Sequence, residues 1–293
     1  MKNKLVYNLI GFLVFVFFCF CGCTRRSLEE VKPVSNVSIN FNWKNLATDE
    51  ELPSGMQLYF YSSEGLILTR DANASGFNGS LPAGTYQVLA YNTDAEHVQH
   101  EGLKSYESAR VSAPVYTRAS SYLRQPSHCY GVGLGTLTVL EADSSSATMV
   151  PRNFIRQAVI RVETGEYDDQ IKSCSGNLSG FSSGAYLSSG DLVDDNGKLF
   201  FSTEKVSSSF SSGVSFFGKD PKEKNVLHIE FAMSGGSTQF INVDITDRLK
   251  DINTVELDVE IDVGIEILNQ EAVLSEITIK ARDQVNAGEG EVH

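Results

Sequence analysis

Few side chains in this 293-residue sequence have a type and spacing that could do chemistry, and most fail the requirements of the chemistry they suggest. His97 and His100 stand at an HxxH spacing, which on a helix would bring two imidazoles to one metal. Neither an HExxH motif nor a third ligand of matching spacing accompanies them, so the pair reads as solvated loop histidines. Gly131, Gly133 and Gly135 lack the following helix that a dinucleotide fingerprint needs, and packing or bulges explain them better. Asp191, Asp194, Asp195 and Asn196 lack the alternate-position oxygens and closing glutamate of a calcium loop, which leaves turn chemistry. Glu50-Glu51 and Asp168-Asp169 read as exposed acidic pairs. Tyr59, Tyr61, Tyr86 and Tyr91 offer rings to a sugar, although strand aromatics more often fill a core or pair across strands. No residue takes a catalytic, cofactor or metal role, and a protein that is not an enzyme is expected.

One residue does carry a definite chemistry. Lys2 and Lys4 precede an apolar run from Leu5 to Phe20 that ends in Phe20-Cys21-Gly22-Cys23. A basic start, short apolar middle and small-residue exit make residues 1–22 a secretory signal. The run is too short and wrongly flanked for a membrane span, which needs about 20 apolar residues. Its end looks like a bacterial lipobox, so Cys23 is the expected lipid attachment site, acylated on its thiol and new amine. At about 0.8 kcal/mol per buried methylene, two or three acyl chains hold a protein on a bilayer essentially permanently. Residues 23–35 are then a polar tether, and the expected location is the outer membrane, lipid-anchored at the cell surface. Beyond the signal only Cys129 and Cys174 remain; in an oxidising envelope they either bridge or stay free, and the sequence fixes no distance between them.

The net charge of -13 would repel phosphate backbones and no basic stripe offsets it, so nucleic acid is not an expected partner. Hydrophobic residues at 41% suffice for a core, and abundant glycine and serine favour turns and strands. Val37, Ile39, Phe41 and Trp43 alternate with polar residues, as do Met56, Leu58 and Phe60, which predicts half-buried strands. Thr85 to Asn92, Val132 to Leu140, Val226 to Met233 and Phe240 to Ile245 read likewise. Residues 93–127 read as loop with short strands or a helical turn, and serine-rich Ala142 to Ala147 as a crossing between domains. Asn153 to Glu163 predicts a strand with one irregular step. Asn196-Gly197 predicts a two-residue hairpin between Leu192-Val193 and Leu199 to Phe201. Val255 to Ile267 alternates aliphatics with acids over thirteen residues; one face must be buried, the acidic face guards against edge pairing, and Gly264 marks a bend or bulge. Ile277 and Ile279 add a further strand. The pattern gives an all-β protein with two tandem β-sandwiches, residues 36–146 and 147–281, and a loose tail at 282–293.

Several segments together resemble the fimbrillin-type two-domain lipoproteins of Bacteroidales, in particular fimbrial anchor and accessory subunits. They are the lipobox at Cys23, Leu81-Pro82-Ala83-Gly84-Thr85-Tyr86-Gln87-Val88-Leu89-Ala90-Tyr91-Asn92, Gly176-Asn177-Leu178-Ser179-Gly180-Phe181, and Asn242-Val243-Asp244-Ile245-Thr246-Asp247, in the family's order. Glu29-Glu30 after the lipid cysteine resembles the surface-export signals of some such lipoproteins. The resemblance implies two transthyretin-like β-sandwich domains and a structural subunit of a fimbria-like assembly: an anchor, terminator or accessory protein that docks fimbrial subunits by β-strand pairing. Main-polymer subunits of that family are trimmed after an arginine, for which Arg70, Arg110, Arg118 and Arg124 qualify here by residue type. The alternative is a lipid-anchored adhesin or glycan-binding module acting alone. If Cys23 is the lipid site, cells fed labelled palmitate label the protein and Cys23→Ser abolishes the label; a labelled Cys23→Ser chain sinks the assignment.

Overall fold

The computed structural model describes residues 33–282, apart from 47–49, 66, 117–120, 253, 255–256 and 269–270. The signal segment, Cys23, most of the tether, Arg118 and the tail from residue 283 lie outside the described residues. The first half contains β1 (Val34–Phe41), β2 (Met56–Ser62), β3 (Ile67–Ala72), β4 (Gly76–Pro82), β5 (Gly84–Asn92), β6 (Gln99–Glu101), β7 (Arg110–Ser112), β8 (Tyr122–Leu123), β9 (Tyr130–Val139) and β10 (Ser145–Met149). Then follow β11 (Arg152–Asn153), β12 (Arg156–Glu163), a 3-10 turn (Gly165–Gln170), β13 (Ile171–Ser182), β14 (Gly184–Tyr186), β15 (Asn196–Ser202), β16 (Glu204–Val206) and β17 (Ser209–Phe216). The chain continues through β18 (Val226–Met233), β19 (Thr238–Asp244), the single-turn helix α1 (Thr246–Leu249), β20 (Asp258–Leu268) and β21 (Glu271–Arg282). The fold is all-β.

The alternations place the core. Val37, Ile39 and Phe41 of β1 pack with Met56, Leu58, Phe60, Val88 and Leu137, joining the sheet β10-β1-β4 to the sheet β11-β9-β5-β2-β3. In the second half Ala158, Ile160 and Val162 pack with Leu178, Phe201, Phe231 and the odd-numbered aliphatics of β20, joining β16-β17-β12-β20-β21 to β19-β18-β13-β15-β8. A small fifth sheet, β14-β7-β6, takes strands from both halves.

Four sequence expectations change. Residues 145–147, read as part of a crossing, belong to β10, paired in parallel with β1 from Val37↔Ser145 to Phe41↔Met149; Met149 is buried, and the serines had masked a short alternation. The strand expected over residues 153–163 breaks into β11 and β12, which belong to different sheets. Asn153 holds the break open, because its Oδ1 accepts the Ile155 N–H at 3.0 Å and the Cys129 N–H at 3.4 Å. Asn196-Gly197 makes no hairpin turn, since neither residue has the positive φ that such a turn requires. Asn196 instead begins β15, opposite Ser182 of β13. Gly197 is needed for close approach: a Cβ there would stand 2.6 Å from Leu123 Cγ and 2.9 Å from the Ser121 carbonyl oxygen. Finally, β20 is no edge. It lies between β12, parallel, and β21, antiparallel. Its acids are answered across the strands: Arg161 of β12 pairs with Glu260 and stands 3.7 Å from Asp262, while Glu260 and Asp258 lie opposite Lys280 and Arg282. The expected irregularity at Gly264 is present as a register shift between Gly264 and Ile265.

The back face of the β2–β5 pair carries a ladder of rings. Tyr61 stacks on Tyr59 (6.1 Å), Tyr59 on Tyr91 (5.9 Å), and Tyr91 on His100 of β6 (3.9 Å, 20° between planes). Desolvation pulls the His100 pKa down to about 4, so it is neutral at neutral pH. The unfolded chain binds this proton near pH 6.5, so stability is fully present above that pH and falls as pH drops toward 4. Between pH 7 and pH 5 the loss should be about 2 kcal/mol in urea unfolding, and His100→Phe should flatten the slope; an unchanged slope removes His100 from the account. Gly197→Val should cost about 1–3 kcal/mol through overpacking against β8, read as a lowered urea midpoint, and wild-type stability would show that β8 yields freely.

Candidate functional site

The residues with chemical potential are scattered and occupied by structure. His97 Nδ1 lies 3.0 Å from the Gln125 carbonyl oxygen, whereas His100 turns to Tyr91, so the HxxH spacing brings no ligand pair together. His100 is also largely buried rather than solvated. Asp168 pairs with Lys205 at 2.9 Å and Asp194 with Lys222 at 2.8 Å, while Asp195 accepts the Ser183 hydroxyl at 3.2 Å. Glu51 is exposed as expected, but Glu50 is tucked in, accepting from Asn153 Nδ2 at 2.9 Å and standing 3.3 Å from His128 Nδ1. The glycine run packs as read at two of its positions: a Cβ on Gly131 would meet Phe154 and one on Gly133 would meet Tyr106, whereas Gly135 faces open space. Cys129 and Cys174 are free and buried, and burial pushes both thiols up to about 12, far from reactivity. Tyr61, Tyr86 and Tyr91 are buried, and the Tyr86 hydroxyl donates to the Pro82 carbonyl, which removes these tyrosines as a sugar platform.

What the fold does offer is sheet edges, where unpaired N–H and C=O groups wait for a strand. One edge is filled from within. Val115 of the first half is bridged to Leu123, and β8 lies in parallel on β15, closing that side of the second half's sheet. No local signal announced this, because two residues are too few to show a period. Other edges vary: β3 carries Arg70 and Asp71 and β16 is three residues long with Glu204 and Lys205, whereas β4, which ends at Pro82, and the five-residue β10 carry no charge.

The opposite flank differs. Among the described residues, the outer sides of β19 and β21 pair with no strand. The seven residues of β19 include no proline and no basic residue, and only Asp244 is charged. Ile241 and Val243 of β19 and Leu274 and Ile279 of β21 are half-buried along this flank, and the Gln239 side chain accepts the Ala272 N–H across it. An incoming strand would find backbone partners along β19 and aliphatic side chains beneath them, which are the two requirements of strand addition. Of the arginines considered as trimming sites, Arg110 is tied to Glu101 at 2.7 Å, Arg70 lies on edge strand β3, and Arg124 is exposed after β8.

A Bacteroides ovatus protein named "Putative fimbrium anchoring subunit Fim4B" is 31% identical over 102 residues, a match covering 33% of this chain and 30% of the relative's length, so the chain spans under a third of the curated relative it matches. A crystal structure of a "putative adhesin" from Bacteroides ovatus superposes with a TM-score of 0.65 at 18% identity, covering 85% of this chain and 95% of that one. The fimbrial anchor protein Mfa2 from Porphyromonas gingivalis gives a TM-score of 0.58 at 11% identity, over 84% and 97% of the two chains. At these identities the likeness is one of fold. A family profile described as a domain of unknown function, DUF5119, matches residues 22–202, more than half of the chain, and so the protein is a member of the DUF5119 family.

Proposed function

We propose that the protein is a lipid-tethered structural subunit of a fimbria-like surface assembly, an anchor, terminator or accessory protein that docks its partner by strand pairing at β19. The observation that carries the reading is the weakly guarded β19 edge on a fold shared with a fimbrial anchor protein. The partial match to a relative named for fimbrium anchoring supports it from the sequence side. Acylated Cys23 would hold the chain at the outer membrane, and the tether through residue 35 would lead into β1. Two sandwich units, meeting between β10 and β12, would then stand off the membrane as one docking body. Among the described residues, Asp168, Asp194, His97 and the two thiols are taken up by structural contacts or burial, and the proposed role is a binding one.

The test is a photocrosslinking amino acid placed at Thr238 on β19 in intact cells, with Asn78 on β4 as comparison. A fimbrial-subunit adduct at position 238 and none at 78 is expected. Adducts at neither position, together with unchanged fimbrial number and attachment in a deletion strain, would end the reading.

A further inference from the structure

The outer face of the sheet β19-β18-β13-β15-β8 carries groups that edge docking does not use. Phe200 of β15 is 42% exposed and meets Tyr122 of β8 with ring centroids 5.9 Å apart and planes at 71°, so the two rings form the walls of a corner. Beside them, next to Val115, which is bridged to Leu123, the exposed Tyr116 ring lies 5.6 Å from the Arg124 guanidinium. Exposed Lys198 stands in register with Tyr122.

From this corner a polar row crosses the sheet. Asn177 of β13 is opposite Phe200, His228 of β18 is opposite Asn177, and Asn242 of β19 is opposite His228, its Oδ1 2.8 Å from the imidazole Nδ1. Phe240, the next outward residue of β19, is 65% exposed and closes the far end 6.0 Å from the His228 ring. At about 4.8 Å per strand, the five strands span roughly 19 Å.

The chemistry of this face selects its ligand. Electron-rich ring faces take the C–H side of a sugar. Side-chain amides donate and accept at once, as neighbouring hydroxyls require. A guanidinium presents a planar fork that matches a carboxylate. In a chain of net charge -13, Arg124 and Lys198 gather at the β8–β15 end, and the face's own acids, Glu230 and Asp244, lie on β18 and β19. An acidic protein partner would match the charge, but protein interfaces carry an apolar, desolvated centre, whereas here the centre is Asn177, His228 and Asn242.

We propose that this face binds a linear, uronate-containing polysaccharide, with an acidic sugar seated in the corner of Tyr122, Phe200 and Arg124 and its neighbours laid over Asn177, His228 and Asn242. This does not rest on the fimbrial reading, and either can fail alone.

The full chain, purified in detergent, is titrated with polygalacturonate, with dextran as a neutral glycan and poly-glutamate as a polyanion without sugar rings. Polygalacturonate should bind, more weakly at about 0.5 M salt. Phe200→Ala and Arg124→Gln should each weaken it about tenfold, roughly 1.4 kcal/mol, while Phe200→Tyr retains it. Lys198→Glu, at an exposed position, gives a readout that does not depend on removing a ring, and should also weaken binding. The proposal is overturned by no binding of polygalacturonate, by equal binding of dextran or poly-glutamate, or by variants that keep their fold and bind like the native chain.

Discussion

The structure depends on one short contact, the parallel pairing of Tyr122-Leu123 with Lys198-Leu199. Leu123 is driven into the second half's core while its chain neighbours belong to the first half, and the missing side chain at Gly197 lets the backbones approach. β7 makes a second such contact with β14. Together they bury Ala109, Val111, Ala113 and Leu123 in a core continuous with that of the second sandwich. Relative motion of the two halves would expose these groups, so the fold couples its parts through apolar burial rather than through a linker.

The same contact distinguishes the two flanks of the second sandwich. On one side the sheet β19-β18-β13-β15-β8 is completed by β8 from the first half; on the other, β19 ends it openly. A sheet that spends a strand on closing one edge and leaves the other nearly uncharged is asymmetric in what it invites.

Much of the architecture was legible because alternation over seven or more residues has one consistent solution: β1, β2, β18 and β20 bury the aliphatics their patterns predict. What escaped reading is what local pattern does not encode. The acids of β20 looked like edge protection, because only the fold reveals Arg161 one strand away. Asn196-Gly197 looked like a turn because that dipeptide usually is one, yet here the glycine serves a distant strand. The preference for core packing over a sugar platform held for Tyr61, Tyr86 and Tyr91, but not what covers them: the Tyr61 hydroxyl donates to the Leu103 carbonyl oxygen at 3.1 Å and Tyr91 stacks on His100 of β6. The aromatic corner at Phe200 was invisible for the same reason as β8: its members come from opposite halves of the chain.

The parallel arrangement of β1 and β10 bears on how the molecule would respond to being pulled. A tensile load entering ahead of Val34 and leaving after Met149 acts at opposite ends of the pair, so the strands are sheared lengthwise. The backbone links from Val37↔Ser145 to Phe41↔Met149 then resist together instead of parting in turn like a zip. Mechanical toughness is thus built in where the amino-terminal side enters the sandwich.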